Sequence, residues 1–514
     1  MPKWLKDAVF YEIYPQSFYD SNNDGIGDIN GIIEKLDYIK DLGCNALWIN
    51  PIYDSPFMDA GYDVRDYKKV APRYGTNDDL VNLFNKAHEK GIKVLLDLVP
   101  GHTSEEHEWF KKSCQANKNE YSDRYVWTKS VWQGIANHPY VAGNAPRDGV
   151  YMLNFFKCQP ALNYGFGTRD SDFQMAPDAP ACISTREAMK DIMRFWLDKG
   201  CDGFRVDMAD SLVKEDDERK TNTAAIWANV REMLDKDYPE AAMVSEWCNP
   251  TSALNLAKFH MDFYLDHHGN GYNTLVRDYE TDGGDHSFFK CGAGGDIMRF
   301  LNDYLPKYKN SKDYGYISFF TCNHDTPRET NSLSINELKI AYAFFFTMPG
   351  VPFLYYGDEI GMKYQANLPT KEGGYQRTGT RTPMQWNKGK NLGFSQADES
   401  MLYLPVDSDA NAPTVESAQA DKDSLYYTVK KIIALRHNEE DLQADADFEV
   451  VYAKEKEFPF IYKRGNLTIV VNPSPNAKQV PFDMTKKKSI FEIGAYDNSE
   501  EKLMIGAQSF VIFK

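Results

Sequence analysis

The sequence has little that would carry it to a membrane, a nucleic acid or an oxidising compartment. Its opening, MPKWLKDAVFYEIYP, has no apolar core of signal-peptide length, and nowhere do about 18 apolar residues run together. Neither a leader nor an anchor is expected, and a cytoplasmic, soluble protein is. Basic residues are in deficit, 58 Lys and Arg against 75 Asp and Glu, and the resulting net charge of −17 repels phosphate backbones and anionic lipids. Nucleic acid and membrane are therefore not expected as partners. Cysteine is sparse, 8 in 514 residues, with no CxxC pair and several members inside apolar runs. That excludes a dense disulfide framework and points to free thiols in a reducing compartment.

What is present suggests a large α/β protein of two or three domains. From Asp28, the residues Ile29, Ile32, Ile33, Leu36 and Ile39 share one helical face that ends near Gly43, and NALWINPI follows as a buried strand. The step repeats after Thr76, where Leu80, Phe84 and Ala87 line a helix stopping at Gly91 before IKVLLDLVP. It repeats again with a helix opened by a Ser184 and Glu187 capping box and followed by CDGFRVDM. Further strand candidates are AAMVSEW, YISFFTCNHD and VPFLYYGDE. Alternating units of this kind predict a closed parallel (β/α)8 barrel over residues 1–102 and 170–443. Residues 103–169 interrupt the rhythm and read as an inserted small domain, and an irregular stretch at about 362–423 precedes the last barrel helix, SLYYTVKKIIALRH. Short alternating runs from 444 to 514 predict a C-terminal antiparallel β-sandwich domain. Aromatics at 14% suit a carbohydrate site, though a large core uses them equally well.

Several strand ends finish in polar groups: Asp97 and His102, Arg205 and Asp207, Glu246, and the run Asn323, His324, Asp325. Solvent contact explains any one of these, but in a barrel all of them converge on one mouth. The segments DLVPGHTS, GFRVDMAD, VSEW and FTCNHD, in that order, resemble the signature regions of the α-amylase superfamily of glycoside hydrolases (glycoside hydrolase family 13), its oligosaccharide α-glucosidases in particular. The resemblance implies that Asp207 is the nucleophile, Glu246 the acid/base and Asp325 a carboxylate gripping sugar hydroxyls in the transition state. It further implies retaining cleavage, which asks for the two reacting carboxyls to lie roughly 5 to 5.5 Å apart. Arg205, two residues before Asp207 on the same strand face, is expected to keep the nucleophile ionised while Glu246 retains its proton. By the same resemblance His102, His324 and Tyr62 contact the bound glucose, Phe155 and Gln159 wall its subsite, and Asp59 pairs with Arg377 or Arg381 to close the pocket over the non-reducing end.

The expected activity is thus an exo-acting, retaining α-glucosidase on short oligosaccharides, linked α-1,4, α-1,6 or both. A transglucosylase of the trehalose synthase type, an endo-acting α-amylase and a non-catalytic amylase-like partner subunit are the alternatives. Linkage stays open because QPALN stands where oligo-1,6-glucosidases carry QPDLN and because Met208 follows the nucleophile. Gly101 stands where many amylases have the Asn of a calcium site between barrel and insert. A different calcium loop, with magnesium the other hard cation it could take, is suggested by DSNNDGIGD. There Asp20, Asn22, Asp24, Ile26 through its carbonyl and Asp28 present oxygens at alternate positions around a glycine turn. Gly31 at the twelfth position rules out a true EF-hand, and the segment resembles the calcium loop after the first barrel strand of bacterial oligosaccharide glucosidases; a plain Asx-rich turn is the alternative. Oligomeric state is open between monomer and dimer.

Overall fold

The run that begins at Asp28 forms helix α1 (Ile29–Leu42), and the Asp28 carboxylate caps it by accepting the Gly31 N–H at 2.7 Å. It ends on Gly43 at φ 106°, a conformation glycine takes without strain. The same logic sets α2 (Asn77–Glu89), where Thr76 and Asp79 form a reciprocal capping box. Helix α3 (Pro180–Leu197) starts four residues before the expected Ser184, because Pro180 takes the first helical position, where its missing N–H costs nothing. Ser184 instead accepts a hydrogen bond from Arg124 at 2.9 Å. Helices α4 (Thr221–Asp237), α5 (Ile297–Ser311), α6 (Ile335–Thr347) and α7 (Leu425–Asn438) complete the outer layer. After the fifth strand a short π-helical turn, Thr251–Leu256, takes the place of a full helix.

The computed structural model describes residues 1–265, 270–278, 284–484, 487–498 and 502–514. Its central sheet has 8 parallel strands: β1 (Phe10–Ile13), β2 (Ala46–Ile49), β3 (Lys93–Leu98), β4 (Gly203–Val206), β5 (Ala242–Ser245), β6 (Met261–Phe263), β7 (Tyr316–Ser318) and β8 (Phe353–Tyr355). Neighbours run in chain order from β1 to β7, β8 pairs with β1, and a bridge between Phe320 and Phe353 closes the ring between β7 and β8. This is the expected (β/α)8 barrel. Strand β6 is not apparent in the sequence, since it is only three residues long and carries Asp262 at its centre. The insert after β3 contains a two-stranded hairpin, Tyr140–Ala142 with Val150–Met152, over a small core that includes Val126, Val150, Met152 and Phe166.

The C-terminal region folds as a five-stranded antiparallel sheet of β9 (Phe448–Tyr452), β10 (Phe460–Arg464), β11 (Leu467–Asn472), β12 (Ser489–Ile493) and β13 (Ser509–Phe513), in the order β9-β10-β11-β13-β12. One face, with Phe460, Tyr462, Ile469 and Phe510, joins the main core; the other, with Ile461, Val470, Val511 and Phe513, packs a second core with Ile505 of a small three-stranded sheet. Among the described residues, all eight cysteines are free, and no helix is long and apolar enough to cross a membrane.

Candidate functional site

Two of the expected site carboxylates stand one residue beyond a strand. Asp207 follows β4 and Glu246 follows β5, and the parallel register of β4 and β5 holds them side by side. Beneath them lies Arg205, which is 1% exposed. One of its terminal nitrogens donates to Asp97 at 3.0 Å and to Asp207 Oδ1 at 3.0 Å, and the other meets Glu246 Oε2 at 2.8 Å. A single planar guanidinium thereby sets the positions of three carboxylates, a task its fork of donors suits and an ammonium does not. Arg205 lies under the cavity, outside its lining, and acts on the carboxylates. Met208, at φ 42°, turns its N–H onto Glu246 Oε2 at 2.8 Å, so strained backbone beside Asp207 fixes the Glu246 carboxylate.

Burial and, next, the negative charge of Glu246 push the Asp207 carboxyl well above the usual carboxylate range, while Arg205 pulls it down. The expectation that Arg205 keeps Asp207 ionised is thus corrected. Its cation is divided among three acids, and burial outweighs the share left to Asp207.

On the opposite wall, burial would raise Asp325, but His324, Arg377 and Arg381 hold it well below the ordinary range. The His324 ring donates from Nδ1 to Glu12 at 2.8 Å and from Nε2 to Asp325 at 3.0 Å. Burial opposes its charge, yet these carboxylates raise its pKa to about 9, so at neutral pH it is an imidazolium. Tyr62 stacks on it at 5.4 Å and donates its hydroxyl to Asp97 at 3.0 Å. Glu12 is fully buried, and sequence reasoning missed it. Its signal was an acid inside the otherwise apolar strand FYEI.

Asp59, Tyr62, His102, Phe155, Asp207, Met208, Glu246, Asp325 and Arg377 line one cavity of about 170 Å³. A cavity of about 150 Å³ holds a benzene ring, so this one has room for a single six-membered ring. Arg377 bridges its rim, donating to Asp325 at 2.9 Å and to Asp59 at 3.4 Å. Arg381 takes no part in that closure: it is buried behind Asp325, which it meets at 2.9 Å, and it donates to the His324 carbonyl at 2.8 Å. Gln159 is not a wall but a prop, donating to Asp59 at 2.8 Å from a fully buried position. His102 is neutral, its pKa lowered to about 3 by burial. Its nitrogens engage the Tyr62 carbonyl and Asn154, each at 3.1 Å, and contact with a sugar hydroxyl would require one of these to be given up.

The departure at Gly101 has a local explanation. A Cβ there would come within 2.7 Å of the Asn154 amide and 3.1 Å of the Ser211 hydroxyl. Asn154 also accepts from the buried Lys214 ammonium at 2.7 Å, so the seam between barrel and insert already contains a cation. In the DSNNDGIGD loop the oxygens turn to the loop's own donors, and Asp20 accepts in addition from the Ser395 hydroxyl at 2.5 Å. Asp20 accepts from Asn23 and Gly25, Asn22 from Asp24, Asp24 from Ile26, and Asp28 from Ser21 and Gly31. Among the described residues, no group of three or more His, Cys, Asp or Glu side chains is gathered as a metal set. The loop's side-chain oxygens remain hard donors with further lone pairs, a chemistry that fits calcium.

The alpha-amylase catalytic-domain model matches residues 12–445. The chain is 33% identical to a trehalose synthase/amylase of Mycolicibacterium smegmatis, over 84% of this chain and 76% of that one. It is 30% identical to a glucan 1,6-alpha-glucosidase of Streptococcus pneumoniae over 98% and 97%, and 32% identical to a probable oligo-1,6-glucosidase of Bacillus subtilis over 90% and 88%. Among solved structures, a mutant of the trehalulose synthase MutB superposes with a TM-score of 0.81 at 25% identity, covering 100% of both chains.

Proposed function

The chain belongs to the alpha-amylase family of glycoside hydrolases, and from that premise we propose that it removes single glucosyl units from the non-reducing ends of short α-glucosides, with retention. The observation that carries this reading is the ring-sized cavity itself, walled by Asp207 and Glu246 and closed at its rim where Arg377 joins Asp59 to Asp325. An endo-acting enzyme needs a cleft open at both ends; here a sugar chain enters from one side and stops.

Retaining cleavage proceeds through two displacements. Asp207 attacks the anomeric carbon as Glu246 gives its proton to the leaving oxygen, and Glu246 then takes a proton from water as water displaces Asp207. Both carboxylates rest on Arg205, whose cation stabilises the negative charge on Asp207 as it attacks. Asp325, already ionised and gripped by three cations, accepts the ring hydroxyls whose hydrogen bonds tighten as the oxocarbenium develops.

The trehalose synthase relatives favour a second outcome, capture of the glucosyl enzyme by a sugar hydroxyl in place of water. We also propose calcium as a structural ion at Asp20, Asn22, Asp24, the Ile26 carbonyl and Asp28, where it would order the loop before α1 and take no part in the reaction. Incubation with maltose, isomaltose, sucrose, trehalose and starch, with products resolved over time, decides the function. Glucose released first in the α configuration from the short substrates supports the proposal, and Asp207→Asn should lose on the order of 10³-fold or more in kcat. Internal cuts in starch before any glucose appears would overturn it.

A further inference from the structure

The loop after β8 contains a second cavity outside the catalytic one. It measures about 480 Å³ and is lined by Tyr364, Gln365, Asn367, Thr370, Tyr375 and Gln376, with backbone from this same stretch. None of its lining residues is charged. Phosphates and carboxylates therefore find no cation there, and amines find no anion. What the walls offer is two tyrosine rings and three side-chain amides, each amide pairing a donor with an acceptor. Sugar hydroxyls need both at once, and a pyranose face needs a ring to lie on.

Three observations set this stretch apart from an ordinary surface loop. Tyr375 is 61% exposed, an unusual state for a large ring that has apolar neighbours available. Asn367, Glu372 and Tyr375 all hold positive φ, at 64°, 45° and 47°, in a segment fastened by Arg73 to Glu372 at 2.7 Å and by Tyr364 to the Gln376 carbonyl at 2.8 Å. Strained residues persist where the surroundings hold them, as at ligand clamps. Finally, Tyr375 touches Phe156 at 5.8 Å, and Phe156 touches Phe155 of the catalytic wall at 4.3 Å. A row of rings thus leads from the catalytic cavity to this one.

We propose that this cavity is an auxiliary saccharide site that binds a neutral glucosyl unit through the Tyr375 ring and the amides of Gln365, Asn367 and Gln376. The proposal rests on the glucosidase reading for the identity of the sugar. The unit could be a distant part of a chain whose end is in the catalytic cavity, or a separate molecule.

The full-length Asp207→Asn variant, which cannot turn substrate over, allows both to be measured by calorimetric titration with maltotriose and maltopentaose. One arm leaves the catalytic cavity free; the other saturates it with an iminosugar. Binding that survives saturation identifies a separate molecule, and affinity that grows with chain length only in the free arm identifies one continuous substrate. In either case Tyr375→Ala and Asn367→Ala should weaken that binding roughly three- to tenfold, while Tyr375→Phe keeps it. Matching melting temperatures for these variants would show that they fold. If both oligosaccharides bind no more tightly than maltose and none of the variants changes their affinity, the auxiliary site does not exist. Should wild-type protein fail to cleave maltose and isomaltose, the catalytic reading fails by itself, whatever the titrations show.

Discussion

His324 ties the site to pH, because its charge holds Asp325 in place. Its folded pKa of about 9 lies above the roughly 6.5 of an exposed histidine, so its contribution to stability is complete below the unfolded value and is lost as pH rises through about 9. Asp325 has the opposite sign. Held well below its ordinary range, it contributes above the unfolded value and loses that contribution as pH falls. The pair is therefore intact across the neutral range and fails first on the alkaline side. We expect kcat/KM to fall as pH rises through about 9 and expect His324→Gln, which cannot carry the charge, to lose this alkaline limb along with most of the activity. A variant with the wild-type alkaline limb would remove His324 from that role. Legibility at this scale followed chemistry that shows in the chain. Asp207 and Glu246 stand at strand ends and Asp325 in the loop after β7, which ends at Ser318, short of the expected run; all three sit in recognisable motifs and face one cavity. Glu12, Asn154 and Lys214 were not legible, because their partners lie far away in sequence and only folding brings them to His324, His102 and the insert seam.

Among the elements, the periodic helices and most apolar strands were readable, and β6 was not. Helices α1, α2 and α7 carry apolar faces and caps that period and composition reveal. Strand β6 has three residues and no period to read, and the start of α3 was misplaced because a capping-box pattern inside the helix competed with Pro180. Asp28 already caps α1 through Gly31, so its removal would confound cap and metal. Asp24 is exposed and bonds only within the turn, to Ile26 at 2.9 Å, so it isolates the ion. If calcium binds, millimolar calcium should raise the melting temperature of chelator-treated wild type by RT ln(1 + [L]/Kd) expressed as a shift of a few degrees, and Asp24→Ala should abolish the response. An identical melting temperature with and without calcium would leave the loop as an Asx-rich turn.

For the molecule as a whole, the question is whether the C-terminal sheet is an appendage or a wall of the barrel. The packing argues for a wall. Phe460 and Tyr462 of β10 meet Phe344 of α6 at 6.3 and 5.9 Å, and the Tyr462 hydroxyl meets Thr347 at 2.6 Å. Arg464, fully buried on the same strand, donates to the carbonyls of Thr347, Gln443 and Ala446, so one side chain closes the end of α6 and the chain entering the sheet. Replacing it with an apolar residue leaves those carbonyls without their donor at about 1–3 kcal/mol each, a loss no local repacking recovers. All nine tryptophans lie between Trp4 and Trp386, in the barrel and its insert and outside the C-terminal sheet, so their fluorescence does not report the sheet directly. Arg464→Leu, a change made wholly within the sheet, should therefore lower the midpoint of the tryptophan unfolding transition together with that of far-UV circular dichroism. If the barrel signal held its wild-type midpoint while the sheet melted early, the two would be separate cooperative units and the shared core would not couple them.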